Sequence, residues 1–143
     1  MGIHEGEYRW TQALHISGES LVTDGVIERR YIDNIISQIH YYGPYMFLVP
    51  RVVLAHAKTE DDVRRLGISL HFFKDSVKFS DLYKANVIIV LAAENQESHL
   101  KILKDILNIF TIETRIDELI QKNQPSEIID SIKKILESGH NEY

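Results

Sequence analysis

Between Ala85 and Ala93 the chain reads "ANVIIVLAA", and from Val87 to Val90 the apolar run has no break. A strand with one wet face alternates polar and apolar residues, so an unbroken run of strand formers belongs to a central strand covered on both faces. That requirement asks for helices on two sides of a sheet, and the flanking segments supply them. Trp10 to Val22 reads as a helix ended by "TDG", where Gly25 suits a C-terminal turn. Glu28 to Tyr42 reads as a second helix. Its Ile32, Ile35, Ile36 and Ile39 recur at spacings of three and four, and Gly43-Pro44 stops it.

The middle of the chain changes period. "YMFLVP", "VVLAHA" and "GISLHFF" are short, rich in β-branched and aromatic residues, and bounded by turn formers. With "ANVIIVLAA" they make four strands, and a short fifth is expected around Val77–Phe79. Helical period returns after Asn95, a candidate N-cap. Leu100, Leu103, Leu107 and Phe110 make one stripe beside a second of Ile102, Ile106 and Ile109, the pattern of a deeply embedded helix. Helices over Ile112–Lys122 and Ser126–Leu136 complete the chain. The expected fold is α/β, a mixed sheet of about five strands sandwiched between helical layers. It forms one domain over residues 1–143, with 1–9 and 138–143 flexible.

Composition narrows the function. The 143 residues are 44% hydrophobic and 26% charged, ordinary for a globular protein, and suffice for one substantial core. Sixteen Lys and Arg against 21 Asp and Glu give a net charge of −5 without a basic block, which argues against nucleic acid as the main ligand. With no cysteine, the chain has no disulfide framework, Cys-based zinc site or cysteine nucleophile. The longest apolar runs are too short to cross a bilayer, and "MGIHEGEYRW" is no signal peptide, so a cytoplasmic location is expected.

Seven histidines remain as candidates for chemistry. His4 and His140 lie in terminal segments and read as flexible surface. His15 and His40 sit in helices, where exposure beside helix carbonyls accounts for them. His71 lies mid-strand in "SLHFF", on the face of Ser69 and Phe73, and reads as structural. His56 differs. It follows the strand "VVLA" and precedes the charged "KTEDD", at the strand end where α/β folds place their loops and much of their chemistry. Small Ala55 and Ala57 flank it. His99, in "ESHL" at the mouth of the embedded helix, lies beside backbone N–H groups that attract phosphate. Together with Lys58, the two histidines suit phosphoryl transfer through a nitrogen nucleophile. They equally suit metal ligation completed by Glu60, Asp61 or Asp62, although the spacing fits no metal motif.

The segment "GPYMFLVPRVVLAHAKTEDDVRRLGISL" resembles the phosphorylation-site region of enzyme IIA of the bacterial phosphoenolpyruvate-dependent sugar phosphotransferase system, in the mannitol/fructose superfamily and its ascorbate-type branch. "VIIVLAAENQESHLKILKDI" resembles that family's second signature, and the likeness extends over about Trp10 to Leu136. The resemblance implies that His56 is phosphorylated and that His99 supports it. Lys58 and Ser69 are further candidates for stabilising the phosphoryl group, although Ser69 reads better as satisfying a backbone group. It implies a relay in which His56 takes phosphate from the phosphohistidine of the carrier protein HPr and passes it to a cysteine of enzyme IIB. Through IIB it serves the membrane component, enzyme IIC, which imports the sugar. No cofactor and no metal are expected; a homodimer stays open. The sequence departs from the family pattern at Arg51 (usually a small Gly), Lys58 (Arg), Thr59 (Pro) and Asp62 (Gly), and "IHYY" stands where mannitol and fructose relatives carry an Arg-Glu pair. Arg51 is expected to add charge near the site, and Glu60, Asp61 and Asp62 to form a solvated rim. Two other readings stay open: a regulatory module whose phosphorylation a partner senses, and a metal-dependent hydrolase built on His56 and His99.

Overall fold

The computed structural model describes residues 1–57, 60–93 and 96–141, and the side chains of these except 60, 96–99 and 138–141. Its elements are β1 (Gly2–His4), α1 (Trp10–Thr23), α2 (Arg29–Tyr42), β2 (Phe47–Val49), β3 (Arg51–Ala55), β4 (Gly67–Lys78), β5 (Lys84–Ala92), α3 (Gln96–Phe110), α4 (Thr114–Ile120) and α5 (Pro125–Asn141), with a 3-10 turn over Glu60–Asp62.

The sheet has the order β1-β4-β5-β3-β2. β1 runs parallel to β4, β4 antiparallel to β5, β5 parallel to β3, and β3 antiparallel to β2. The unbroken apolar run is therefore the middle strand, and every residue of β5 from Ala85 to Ala92 is buried. Alternation divides the sheet between two cores. Val53, Ala55, Ile88 and Val90 face α1 and α2, against Leu14, Tyr31, Ile32 and Ile35. Val52, Leu54, Ile89 and Leu91 face the C-terminal helices, against Ile106, Phe110, Ile116 and Ile128. The expected mixed α/β sandwich is the observed one.

α1 and α2 approach closely where Gly18 lies against Ile32, a contact with no room for a Cβ. Gly43, at a φ of 85°, turns the chain out of α2.

Three expectations change. The fifth strand is β1, because Val77 and Lys78 belong to β4, which continues past a register irregularity between Phe72 and Val77. The first nine residues thus include an edge strand whose His4 ring lies parallel to that of His71 with centroids 5.1 Å apart. The wide stripe of α3 is narrower than read. Ile106, Ile109 and Phe110 are buried while Leu100 and Leu107 face solvent, because α3 buries a single face in the cluster it shares with the sheet and α5. α5 runs on to Asn141.

Candidate functional site

The parallel pairing of β3 with β5 sends both strands toward one sheet edge, with Ala55 beside Val90 as the last registered pair. His56 is the first residue past β3, and α3 opens a few residues past β5. Two histidines far apart in sequence are thereby set at the same edge by topology, His99 falling in the first turn of α3. The side chain of His99 lies outside the described residues, as do Lys58, Thr59 and the Asn95 cap.

His56 is half-buried, and its Nδ1 lies 2.8 Å from the carbonyl oxygen of Leu54, two residues back in its own strand. A carbonyl only accepts, so Nδ1 carries the hydrogen and, in the neutral ring, the lone pair rests on Nε2. The strand therefore fixes both the orientation of the ring and which nitrogen carries the lone pair.

The loop after His56 is tied to α2. The Tyr31 hydroxyl, on a residue only 1% exposed, accepts from the Ala57 N–H at 3.1 Å and donates to the Leu91 carbonyl at 2.6 Å. Burial holds the Tyr31 phenol above its ordinary pKa, so it stays protonated. At the far end of the loop, Asp62 accepts from the Arg30 guanidinium at 2.6–2.7 Å and from the Asn34 amide at 3.1 Å. The Asp62 carbonyl also receives the Glu28 N–H, just before α2 begins.

This corrects the expectation of a solvated acidic rim at Asp62, while the side chain of Glu60 lies outside the described residues. Asp62 is 3% exposed and engaged with α2, whereas Asp61 is exposed. The carboxylate is turned inward because two donors on successive turns of α2 await it. Asp62 was also one of the three carboxylates, any of which could complete the metal reading. Among the described residues, no group of three or more His, Asp or Glu side chains could hold a metal ion.

Ser69 lies on the sheet face turned to α1, opposite in alternation to Leu54, and its hydroxyl donates to the Ser17 carbonyl. The residue tethers helix to sheet. Arg51 also departs from expectation: it starts β3 while His56 follows its end, roughly 16 Å apart at about 3.3 Å per residue. Its charge is at the opposite sheet edge. There Arg51 adopts a φ of 72°, a backbone conformation suited to glycine, and its guanidinium meets Asn86 at 2.9 Å and Asp117 at 2.8 Å.

Sequence reasoning singled out His56 at a strand end, where the structure places it, but did not anticipate the contacts that Arg30, Tyr31 and Asn34 make with the loop after it. The signal available was their spacing on the N-terminal turns of α2, beside the apolar face that Ile32 and Ile35 define.

No described helix is long and apolar enough to cross a membrane. The ascorbate-specific PTS system EIIA component of Salmonella typhi is 29% identical over 128 residues, spanning 87% of this chain and 83% of that protein. A PTS IIA protein from Streptococcus mutans has a crystal structure that covers 95% of this chain and 89% of its own, at 27% identity and a TM-score of 0.85. The Escherichia coli enzyme IIA-Mtl, solved in complex with phosphorylated enzyme IIB-Mtl, shares the fold at 18% identity and a TM-score of 0.76, over 93% of this chain and 94% of its own. Residues 4–135 match the family described as phosphoenolpyruvate-dependent sugar phosphotransferase system, EIIA 2. With that match over nearly its whole length, the chain belongs to the EIIA 2 family of the phosphoenolpyruvate-dependent sugar phosphotransferase system, as a phosphotransfer component.

Proposed function

We propose that the chain acts as one carrier domain that takes a phosphoryl group from phospho-HPr onto His56 and passes it to a cysteine of enzyme IIB. The observation that carries this reading is the 2.8 Å contact of His56 Nδ1 with the Leu54 carbonyl, which directs the lone pair to Nε2. The Nε2 lone pair forms the new N–P bond in line as the N–P bond of the donor breaks, and the donor imidazole keeps that electron pair. In the second step an enzyme IIB thiolate forms an S–P bond, and His56 recovers its lone pair.

Such a transition state is loose, so the protein's contribution is positioning and the balancing of charge on three phosphoryl oxygens. The backbone N–H groups opening α3, with His99 and Lys58, are the proposed source of that field. Ser69, committed to Ser17, is left as a structural residue. The names of the curated relatives favour ascorbate as the sugar delivered through enzyme IIC, and the solved IIA–IIB complex of a fold relative favours enzyme IIB as recipient. This relay would run in the cytoplasm, where phosphoenolpyruvate is made.

The test is incubation with phosphoenolpyruvate, enzyme I and HPr. One acid-labile, base-stable phosphate per chain, on Nε2 of His56, is expected. Labelling that persists in His56→Ala would overturn the assignment. Transfer onward to a cognate enzyme IIB supports transport, and a phosphorylated chain that no enzyme IIB discharges supports the regulatory reading instead.

A further inference from the structure

The β3–β5 ladder stops at Ala55 and Val90. Continued by two residues, its register would place Ala57 beside Ala92, and a parallel ladder would then join the Ala57 N–H to the Leu91 carbonyl. That bond is replaced. The Tyr31 hydroxyl occupies the position between these same two groups, accepting from Ala57 at 3.1 Å and donating to Leu91 at 2.6 Å. One buried oxygen from α2 thus satisfies both strand ends while holding them a hydroxyl apart.

We infer that Tyr31 is a positioning residue for phosphoryl transfer, a wedge that ends the ladder and fixes the peptide leaving His56. The inference rests on the reading of His56 as the phosphoryl carrier and names what holds it in register. Two ties then fix that residue from opposite directions. The Leu54 carbonyl orients the ring from the strand side, and the Tyr31 hydroxyl anchors the following peptide from the helix side. With the hydroxyl gone, the Ala57 N–H and the buried Leu91 carbonyl lose their shared partner, and the direct ladder bond is the nearest way to satisfy both. Zipping one step further would pull His56 into the strand and turn its ring away from the geometry that sets Nε2 as nucleophile. Near-attack geometry is sensitive to displacements of this size.

The experiment is Tyr31→Phe, assayed with phospho-HPr as donor and by ¹⁵N NMR of the His56 ring. We expect phosphorylation still at His56, kcat lower by about tenfold to a hundredfold with little change in KM for the donor, and ring signals moved from the Nδ1–H tautomer toward a mixture. A kcat and ring tautomer like those of the unsubstituted chain, in a folded variant, would overturn the inference. A fall in kcat in proportion to lost folded protein, with unchanged ring signals, would also overturn it, since a purely structural role predicts that result. Should Tyr31→Phe not fold, 3-fluorotyrosine at position 31 keeps the ring and shifts the balance of the two hydrogen bonds. Moved His56 ring signals then support the wedge, and unmoved signals reject it. Absence of any label on His56 in the unsubstituted chain is a separate result that rejects the carrier reading itself.

Discussion

The Arg51 guanidinium donates to the Asn86 side-chain oxygen at 2.9 Å, and the Asn86 amide donates to the Phe73 carbonyl at 2.8 Å. Three adjacent strands are thereby stitched at the edge remote from His56, with Asp117 of α4 as a further acceptor for the arginine. These contacts oppose the strain of a side chain at positive φ. Arg51→Ala keeps the strain and loses the contacts, whereas Arg51→Gly loses both. Urea unfolding should therefore rank Arg51→Gly above Arg51→Ala by about 1 kcal/mol. Phosphoryl transfer should be unaffected by either change, and a slowed Arg51→Gly would show that the remote edge reaches the site.

Asp62→Ala removes the acceptor that Arg30 and Asn34 share. It should lower the Tm by roughly 3–8 °C and slow phosphoryl transfer severalfold, because the loop after His56 loses its side-chain tie to Arg30 and Asn34 of α2. Calorimetry and the HPr-dependent labelling rate check the two effects separately.

Stability should depend on pH through the β1–β4 edge. His71 is 7% exposed, with its Nδ1 2.8 Å from Nε2 of His4, and its Nε2 has no hydrogen-bond partner among the described residues. Burial, and then the neighbouring His4, push the His71 pKa down to about 4; burial also lowers that of His4. A depressed imidazole favours the neutral ring in the fold. The stability tied to that ring is fully present above the unfolded pKa near 6.5 and is lost as pH falls toward 4. The loss should reach at most roughly 3 kcal/mol for His71. Urea midpoints between pH 7 and 4 should fall in the unsubstituted chain and fall less in His71→Phe.

His99→Ala should slow transfer about tenfold to a hundredfold while leaving phosphorylated His56 detectable at long times. Rapid-quench labelling reads the rate and the endpoint together. An unchanged rate would return His99 to a polar first-turn residue of α3.

Much of the fold was legible because its central signals are local. The run in β5 admits a single environment, and the isoleucines of α2 admit a single buried face. The place of His56 at a strand end was legible for a similar reason, since "VVLA" reads as strand and the charged run after it does not. What escaped depends on pairing across long sequence separations. Nothing in "GIH" marks β1 as a strand until β4 offers it an edge, and the polar His71 had no visible reason to be buried until His4 lay beside it. Asp62 looked exposed because its run of charges looked exposed. Its burial follows from Arg30 and Asn34, some thirty residues earlier and beside it only in space. Tyr31 gave no sign of its second role because its ring belongs to the core while its hydroxyl serves the loop.

The position of β1 also has a kinetic consequence. β4 and β5 are joined by a short turn, so their pairing closes early, whereas β1 reaches β4 across 69 residues and through three registered pairs. The edge strand should thus be the last part of the sheet to assemble and the first to open. Amide hydrogens of residues 2–4 should exchange with deuterium well before those of Val87–Val90, and acid should widen that gap. The sheet edge that carries the two facing imidazoles would fray independently of the edge that carries His56.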